Sequence, residues 1–465
     1  MHTKEKGYLD LTDCRIVQGL ILFALPMIAG DLLQQFYNIA DTLIVGKFIG
    51  SHALAAVGSA YSLMTFLTSV FLGLSMGAGV LFSIELGREN MQRLRSAIFH
   101  AFFLIIAITA VINSLLFLLT DPLLYFLSVP DEIYDYMKAY LLIIFTGLIA
   151  TSLYNFFACL LRAVGNSVIP LVFLGVSALM NVGLDLLFVP VFQWGIQGAA
   201  IATVIAQYVS GIGISLYFLA KCRRFIPKAE ERRFDAGVLW DILGLSSMTC
   251  VQQSCMNFGI LLVQRLVDSF GTITMAAFAA GVKIDTFAYL PVQDFGNAFS
   301  IFISQNCGAG KVDRQRKGFR AATLISVTFS ILISLLVVVF AGPLMRIFIR
   351  ADEKAVLMSG IRYLHIEGTF YMGIGCLFLL YGFYRGIGRP GISVILTIVS
   401  LGTRVVLAYL LAPVIGETGI WMAVPIGWFL ADVIGYGWYF LKKASWFPSM
   451  RSMCNSGIDK QLEEE

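Results

Sequence analysis

Gly87-Arg-Glu-Asn-Met-Gln-Arg93 returns 223 residues later as Gly310-Lys-Val-Asp-Arg-Gln-Arg316. Each follows a long apolar run and carries a glycine, a base beside it, and Gln-Arg at matching places. The same offset maps Arg162-Ala-Val-Gly165 onto Arg385-Gly-Ile-Gly388. A near-equal offset maps Gly195-Ile-Gln-Gly198 onto Gly416-Glu-Thr-Gly419. Three matches in order, each after an equivalent apolar run, read as an internal duplication.

The apolar runs give the duplication its meaning. Of the 465 residues 58% are hydrophobic and 13% charged, with a mean hydropathy of +0.82; a soluble domain carries about 25% charge. Each crossing of a bilayer takes roughly 20 apolar residues. On that basis the sequence predicts spans at 16–46, 53–83, 96–119, 134–161, 168–190, 195–220, 238–265, 274–304, 319–342, 358–384, 392–413 and 417–441. The expected fold is an all-α membrane protein with twelve transmembrane helices in two six-helix lobes. Six is even, so both halves start on the same side and form parallel repeats. The expected parts are an N-lobe (1–220), a linker (221–236) and a C-lobe (237–465) ending in a short cytoplasmic tail. No cleavable signal peptide is expected, because the polar stretch to Arg15 leads directly into a full-length span.

Charge sets the orientation. With a cytoplasmic N-terminus, 24 of the 33 Lys and Arg fall on inside segments, led by the Lys221–Arg233 and Lys311–Arg320 clusters. That bias predicts both termini in the cytoplasm of a multi-pass plasma-membrane protein. The eight cysteines form neither CxxC pairs nor a zinc-type cluster and read as small buried thiols.

Ionisable groups inside spans are costly and mark functional candidates. In the first span Asp31, Gln34, Asn38 and Asp41 recur at helical spacing and share one face, with Pro26 expected to bend the helix before them. The fifth span offers Ser177, Asn181 and Asp185, and the sixth Thr203, Gln207 and Ser210. Asp41, Asn181, Asp185 and Thr203 together supply two carboxylates, an amide and a hydroxyl. These are hard oxygen donors, suited to H⁺ or Na⁺. A purely structural hydrogen-bond network between helices is the other reading. Gln252, Gln253, Met256 and Asn257 of the seventh span, with Tyr37, are candidates for a substrate cavity; Met adapts to varied ligands. In the second half the repeat maps Asn181 and Asp185 onto Arg404 and Ala408, and Asp285, Asp294 and Glu367 form no second oxygen cluster of comparable coherence. There is no GxxxxGK[ST] loop, HExxH or GxSxG, so neither ATP hydrolysis nor an enzyme activity is expected, and no cofactor beyond a coupling ion.

The chain resembles the multidrug and toxic compound extrusion (MATE) family over essentially its whole length. The likeness rests on Tyr37-Asn-Ile-Ala-Asp41-Thr-Leu-Ile-Val-Gly46, on Gly87-Arg-Glu-Asn and Gly308-Ala-Gly-Lys311, and on Arg162-Ala-Val-Gly165-Asn and Arg385-Gly-Ile-Gly388-Arg. It implies a V-shaped fold and the export of small amphipathic, often cationic molecules in exchange for H⁺ or Na⁺. Asp41, Asn181, Asp185 and Thr203 match the ion-site positions of the DinF-like branch, and Pro26 matches its helix-1 proline. The acids that the NorM-like branch carries in helices 7 and 10 have no matching mid-span pair here. The expected surroundings are membrane lipid and small molecules, with no nucleic-acid partner and a monomeric chain. A lipid-linked oligosaccharide flippase of the same superfamily and a non-transporting membrane scaffold are the alternatives.

Overall fold

The computed structural model describes residues 8–127, 129–350 and 352–462, with side chains as far as residue 442 apart from those of Ser51, Phe258, Ile260 and Leu261. Lys4 and Lys6, and the side chains of Lys443, Arg451, Cys454 and Lys460, lie outside the described residues.

The described chain is helical. In order the helices are α1 (Ile16–Phe48), α2 (Ser51–Gly87), α3 (Met91–Leu118), α4 (Thr120–Phe126), α5 (Asp131–Ala163), α6 (Val168–Phe188), α7 (Gly195–Lys221) and α8 (Ala236–Asp268). Then come α9 (Thr272–Gly308), α10 (Val312–Val339), α11 (Ala341–Arg346), α12 (Lys354–Thr369), α13 (Tyr371–Gly386), α14 (Pro390–Ile415) and α15 (Glu417–Leu462). Among the described residues ten helices are long and apolar enough to cross a membrane, or eleven if the pair α12 and α13 forms one span. With every backbone group bonded inside its own helix, such segments meet the main demand of a lipid environment. The chain is a multi-pass membrane protein.

Two spans depart from expectation, and the first of them, the seventh (238–265), is helix α8, which is not among those ten. The tenth, 358–384, is two helices bent by 50° at Phe370. The apolar run continues through the break, so hydropathy alone could not reveal it. The first span meets its proline differently: α1 continues unbroken through Pro26.

The duplication is written into the turns. Positive φ angles occur at Gly50 and Gly271, Glu89 and Gly310, Gly165 and Gly388, and Gly195 and Gly416. The separations are 221, 221, 223 and 221 residues, and the short α4 and α11 also start 221 apart. The Gly87 and Gly310 motifs are therefore two residues out of register: Gly87, which ends α2, corresponds to Gly308, which ends α9.

Two compact units result. One holds Leu25–Phe82 and Asn90–Cys250; the other holds Leu9–Ala24, Ser83–Glu89 and the chain from Val251. Thus α1, α2 and α8 each contribute to both. In the first unit Phe71, Leu141, Phe145, Leu148 and Ala199 are fully buried in one apolar core. There α2 meets α8 almost backbone to backbone: a Cβ on Gly73 would sit 2.5 Å from Cys250 Cα, and one on Gly77 would sit 2.6 Å from Leu245 O. Small residues let helices approach this closely in lipid, where packing replaces the hydrophobic drive.

Candidate functional site

The first unit assembles the site from α1, α6 and α7. α1 packs on α6 through glycines: a Cβ on Gly30 would lie 3.5 Å from Leu174, and one on Gly175 would lie 3.6 Å from Leu33. That packing carries Asp41 to α6. Asp185 is 0% and Asn181 2% exposed. Asn181 Nδ2 donates to Thr203 Oγ1 at 3.3 Å, and Thr203 Oγ1 donates to Ala199 O at 3.1 Å. The carboxyl groups of Asp41 and Asp185 lie within hydrogen-bonding reach of each other. All four predicted residues therefore meet at one place.

What they lack is as informative. Asp41 Oδ1, Asn181 Oδ1 and both carboxylate oxygens of Asp185 are buried without a hydrogen-bond partner. Buried polar atoms are nearly always paired. Two adjacent carboxylates away from water also repel unless a proton or a cation stands between them. A hard cation or a proton satisfies both needs, because it takes oxygen donors and cancels charge.

The other candidates fall around or apart from this centre. Tyr37 has Gln34 and Asp41 as neighbours on its own helix, and Asp31 lies near Tyr154, whose hydroxyl donates to Pro170 O at 3.0 Å. Asn38 takes a backbone contact, its C=O accepting from Thr42 Oγ1 at 2.8 Å. Gln207 carries a buried, unpartnered Oε1 against Gly147. On α8, Gln252 Nε2 points to Met256 Sδ at 3.9 Å and Asn257 Nδ2 donates to Gln253 O at 3.3 Å. The described contacts of those four residues run along α8 itself.

Sequence reasoning missed two things. Tyr140 of α5 is buried close to both Asp41 and Asp185. In the second unit, Asp285 accepts hydrogen bonds from both Tyr363 and Tyr371, and Tyr363 OH also lies 3.1 Å from Glu367 Oε2. Arg404 is the cation that acts on both acids. The second half thus does hold a coherent oxygen cluster, although it looked scattered in the sequence. Two signals were present. Tyr363, Glu367 and Tyr371 follow one another at four-residue spacing. Tyr363 is also the repeat counterpart of Tyr140, 223 residues on.

Comparison with known proteins agrees with this architecture. The MatE family pattern matches residues 26–187 and 248–410, most of both halves. The chain is 26% identical to the probable multidrug resistance protein YpnP of Bacillus subtilis, over 93% of this chain and 97% of that one. It is also 26% identical to the probable multidrug resistance protein NorM of Thermotoga maritima, over 92% of each. Among solved structures, a MOP superfamily transporter from Pyrococcus furiosus superposes with a TM-score of 0.90 at 20% identity, covering 96% of this chain and 99% of that one. Duplicated helices, matching turns and family pattern lead to one assignment: this chain belongs to the MatE family of membrane transporters and is not an enzyme.

Proposed function

We propose that the chain is a multidrug efflux antiporter of the plasma membrane, exchanging small amphipathic, often cationic compounds for H⁺ or Na⁺ by alternating access. The observation that carries the proposal is the set of four unpartnered oxygens on Asp41, Asn181 and Asp185, at a point where α1, α6 and α7 meet. Ion binding there draws Asp41 toward Asp185 and so sets the position of α1. Release of the ion leaves two repelling carboxylates and favours the other state. The likeness to probable multidrug resistance proteins supports the substrate class. The Lys and Arg bias supports cytoplasmic termini, with six-helix lobes joined by the 221–236 linker.

The energetics suffice. One proton moving inward gains about 2.3 kcal/mol per 100 mV and about 1.36 kcal/mol per pH unit. Together they sustain roughly a 500-fold gradient of a neutral compound per proton. The flippase alternative needs free cations to hold a pyrophosphate. Of Lys283 and Arg404, which stand mid-helix in the second half, Arg404 lies near Asp285 and Glu367, and Lys283 lies 5.9 Å from the Phe348 ring.

The test is ethidium efflux from proteoliposomes under separately imposed pH and Na⁺ gradients. The wild type should respond to one of them, and Asp41→Asn should lose that response. Undiminished gradient-driven efflux by Asp41→Asn would rule the coupling role out.

A further inference from the structure

Between α3 and the segment joining α7 to α8 lies an open groove of about 290 Å³, within the first unit. Its construction follows from the charges beside it. Arg95 of α3 pairs with Glu231 at 3.0 Å and donates to Arg224 O at 2.7 Å, while Glu231 also accepts from Lys228 N at 2.7 Å. Those bonds pin the connecting segment along the start of α3. His100 closes the floor: its Nε2 accepts from Asp235 N–H at 3.0 Å and its Nδ1–H donates to Ser96 O at 2.8 Å. Both ring nitrogens are thereby occupied. The rest of the lining is apolar, from Phe99, Phe103, Leu104, Phe234 and Leu239.

One charged group reaches into this lining, and it is cationic. Arg232 lines the groove, and its Nε donates to Pro227 O at 3.2 Å. Its two Nη groups have no acceptor among the described residues, and neighbouring Arg233 has no acid partner there. By contrast Arg93 and Arg95 are already paired with Asp241 and Glu231. Around the groove, Phe234 is 75%, Trp240 73% and Phe103 55% exposed. The site also lies at a particular depth. α3 changes from charged (Arg93, Arg95) to apolar within its first two turns, as a helix does on passing from headgroups into hydrocarbon.

We infer that this groove is a binding site for an anionic phospholipid of the leaflet on the linker's side, its phosphate on Arg232 and its acyl chain along Phe103 and Leu104. A planar guanidinium whose two Nη groups are free suits a phosphate. Exposed aromatics beside it suit the membrane interface. By charge bias the linker side is the cytoplasmic one, where anionic lipids concentrate.

The full chain, purified in mild detergent and offered equal phosphatidylglycerol and phosphatidylcholine, should retain the anionic lipid preferentially in native mass spectrometry. The preference should fall about fivefold in Arg232→Ala. Leu104→Trp, which fills the groove, should lower retention of either lipid with thermal unfolding little changed. Arg223→Ala, on the same segment but away from the groove lining, should leave the preference intact. Equal retention of the two lipids by the wild type would overturn the inference. So would an Arg223→Ala loss as large as that of Arg232→Ala, or displacement of the lipid by inorganic phosphate.

Discussion

Asp185 is surrounded by acceptors and short of donors. Its two oxygens, like Asp41 Oδ1 and Asn181 Oδ1, are buried and receive no hydrogen bond from a protein N–H or O–H. A structural network would be built the other way, with donors and acceptors matched. The shortage gives a prediction with two opposite readouts. Asp185→Asn supplies an amide donor and removes a charge, so the resting protein should become more stable, by about 1–3 kcal/mol for each oxygen that gains a partner. Thermal unfolding in detergent should register the increase. The same variant should lose gradient-driven efflux, because an amide carries neither the proton nor the charge. A loss of stability in Asp185→Asn would mean that the carboxylate is held by contacts other than an ion.

At the scale of helices, close packing between α2 and α8 rests on Gly77. A methyl group there would press on Ser246 Cα and Leu245 O, both backbone atoms that cannot turn aside. Ser246 Oγ also donates to Leu74 O at 2.9 Å, so the two helices are bonded at the same level. Gly77→Ala should therefore destabilise by about 1–3 kcal/mol. Gly58→Ala on the same helix meets open space and should be neutral or stabilising, by up to about 1 kcal/mol. Thermal unfolding of the two variants side by side checks the contrast. Helices were the most legible feature of this sequence, because length and apolarity are local properties. Gly73 and Gly77 stand four residues apart, a spacing that suits close packing but names no partner. The break at Phe370 was not legible, because the groups that hold it are distant in sequence. Tyr363 before the break and Tyr371 after it both donate to Asp285, which belongs to α9. The first-half acids were legible because four polar residues recur on one helix. The second-half cluster draws its donors from tyrosines, which count as apolar in a search for spans.

For the molecule as a whole, duplication poses the question of which half couples to an ion. Both halves place a tyrosine at the same repeat position, Tyr140 and Tyr363, beside a pair of acids. The surroundings then diverge. In the first half three of the four carboxylate oxygens are buried without a donor, and the two carboxyls lie beside each other. In the second, both oxygens of Asp285 receive a tyrosine hydroxyl, and Arg404, at the repeat position of Asn181, supplies a positive charge. An acid pair that is already bonded and offset by a fixed cation resists exchange of its proton. An acid pair without donors depends on whatever ion arrives. The two halves should thus separate coupling from stability. Asp41→Asn should abolish the response of ethidium efflux to the driving gradient while leaving thermal unfolding unchanged or raised. Asp285→Asn removes a charged acceptor from two buried hydroxyls and leaves Arg404 with less compensation. It should lower stability by about 2–4 kcal/mol while the folded fraction keeps its gradient response. The measurement is efflux per folded transporter in proteoliposomes, normalised by a stability-independent count of reconstituted protein. If Asp285→Asn lost the response and Asp41→Asn kept it, coupling would belong to the second half, and the unpartnered oxygens of the first would need another explanation.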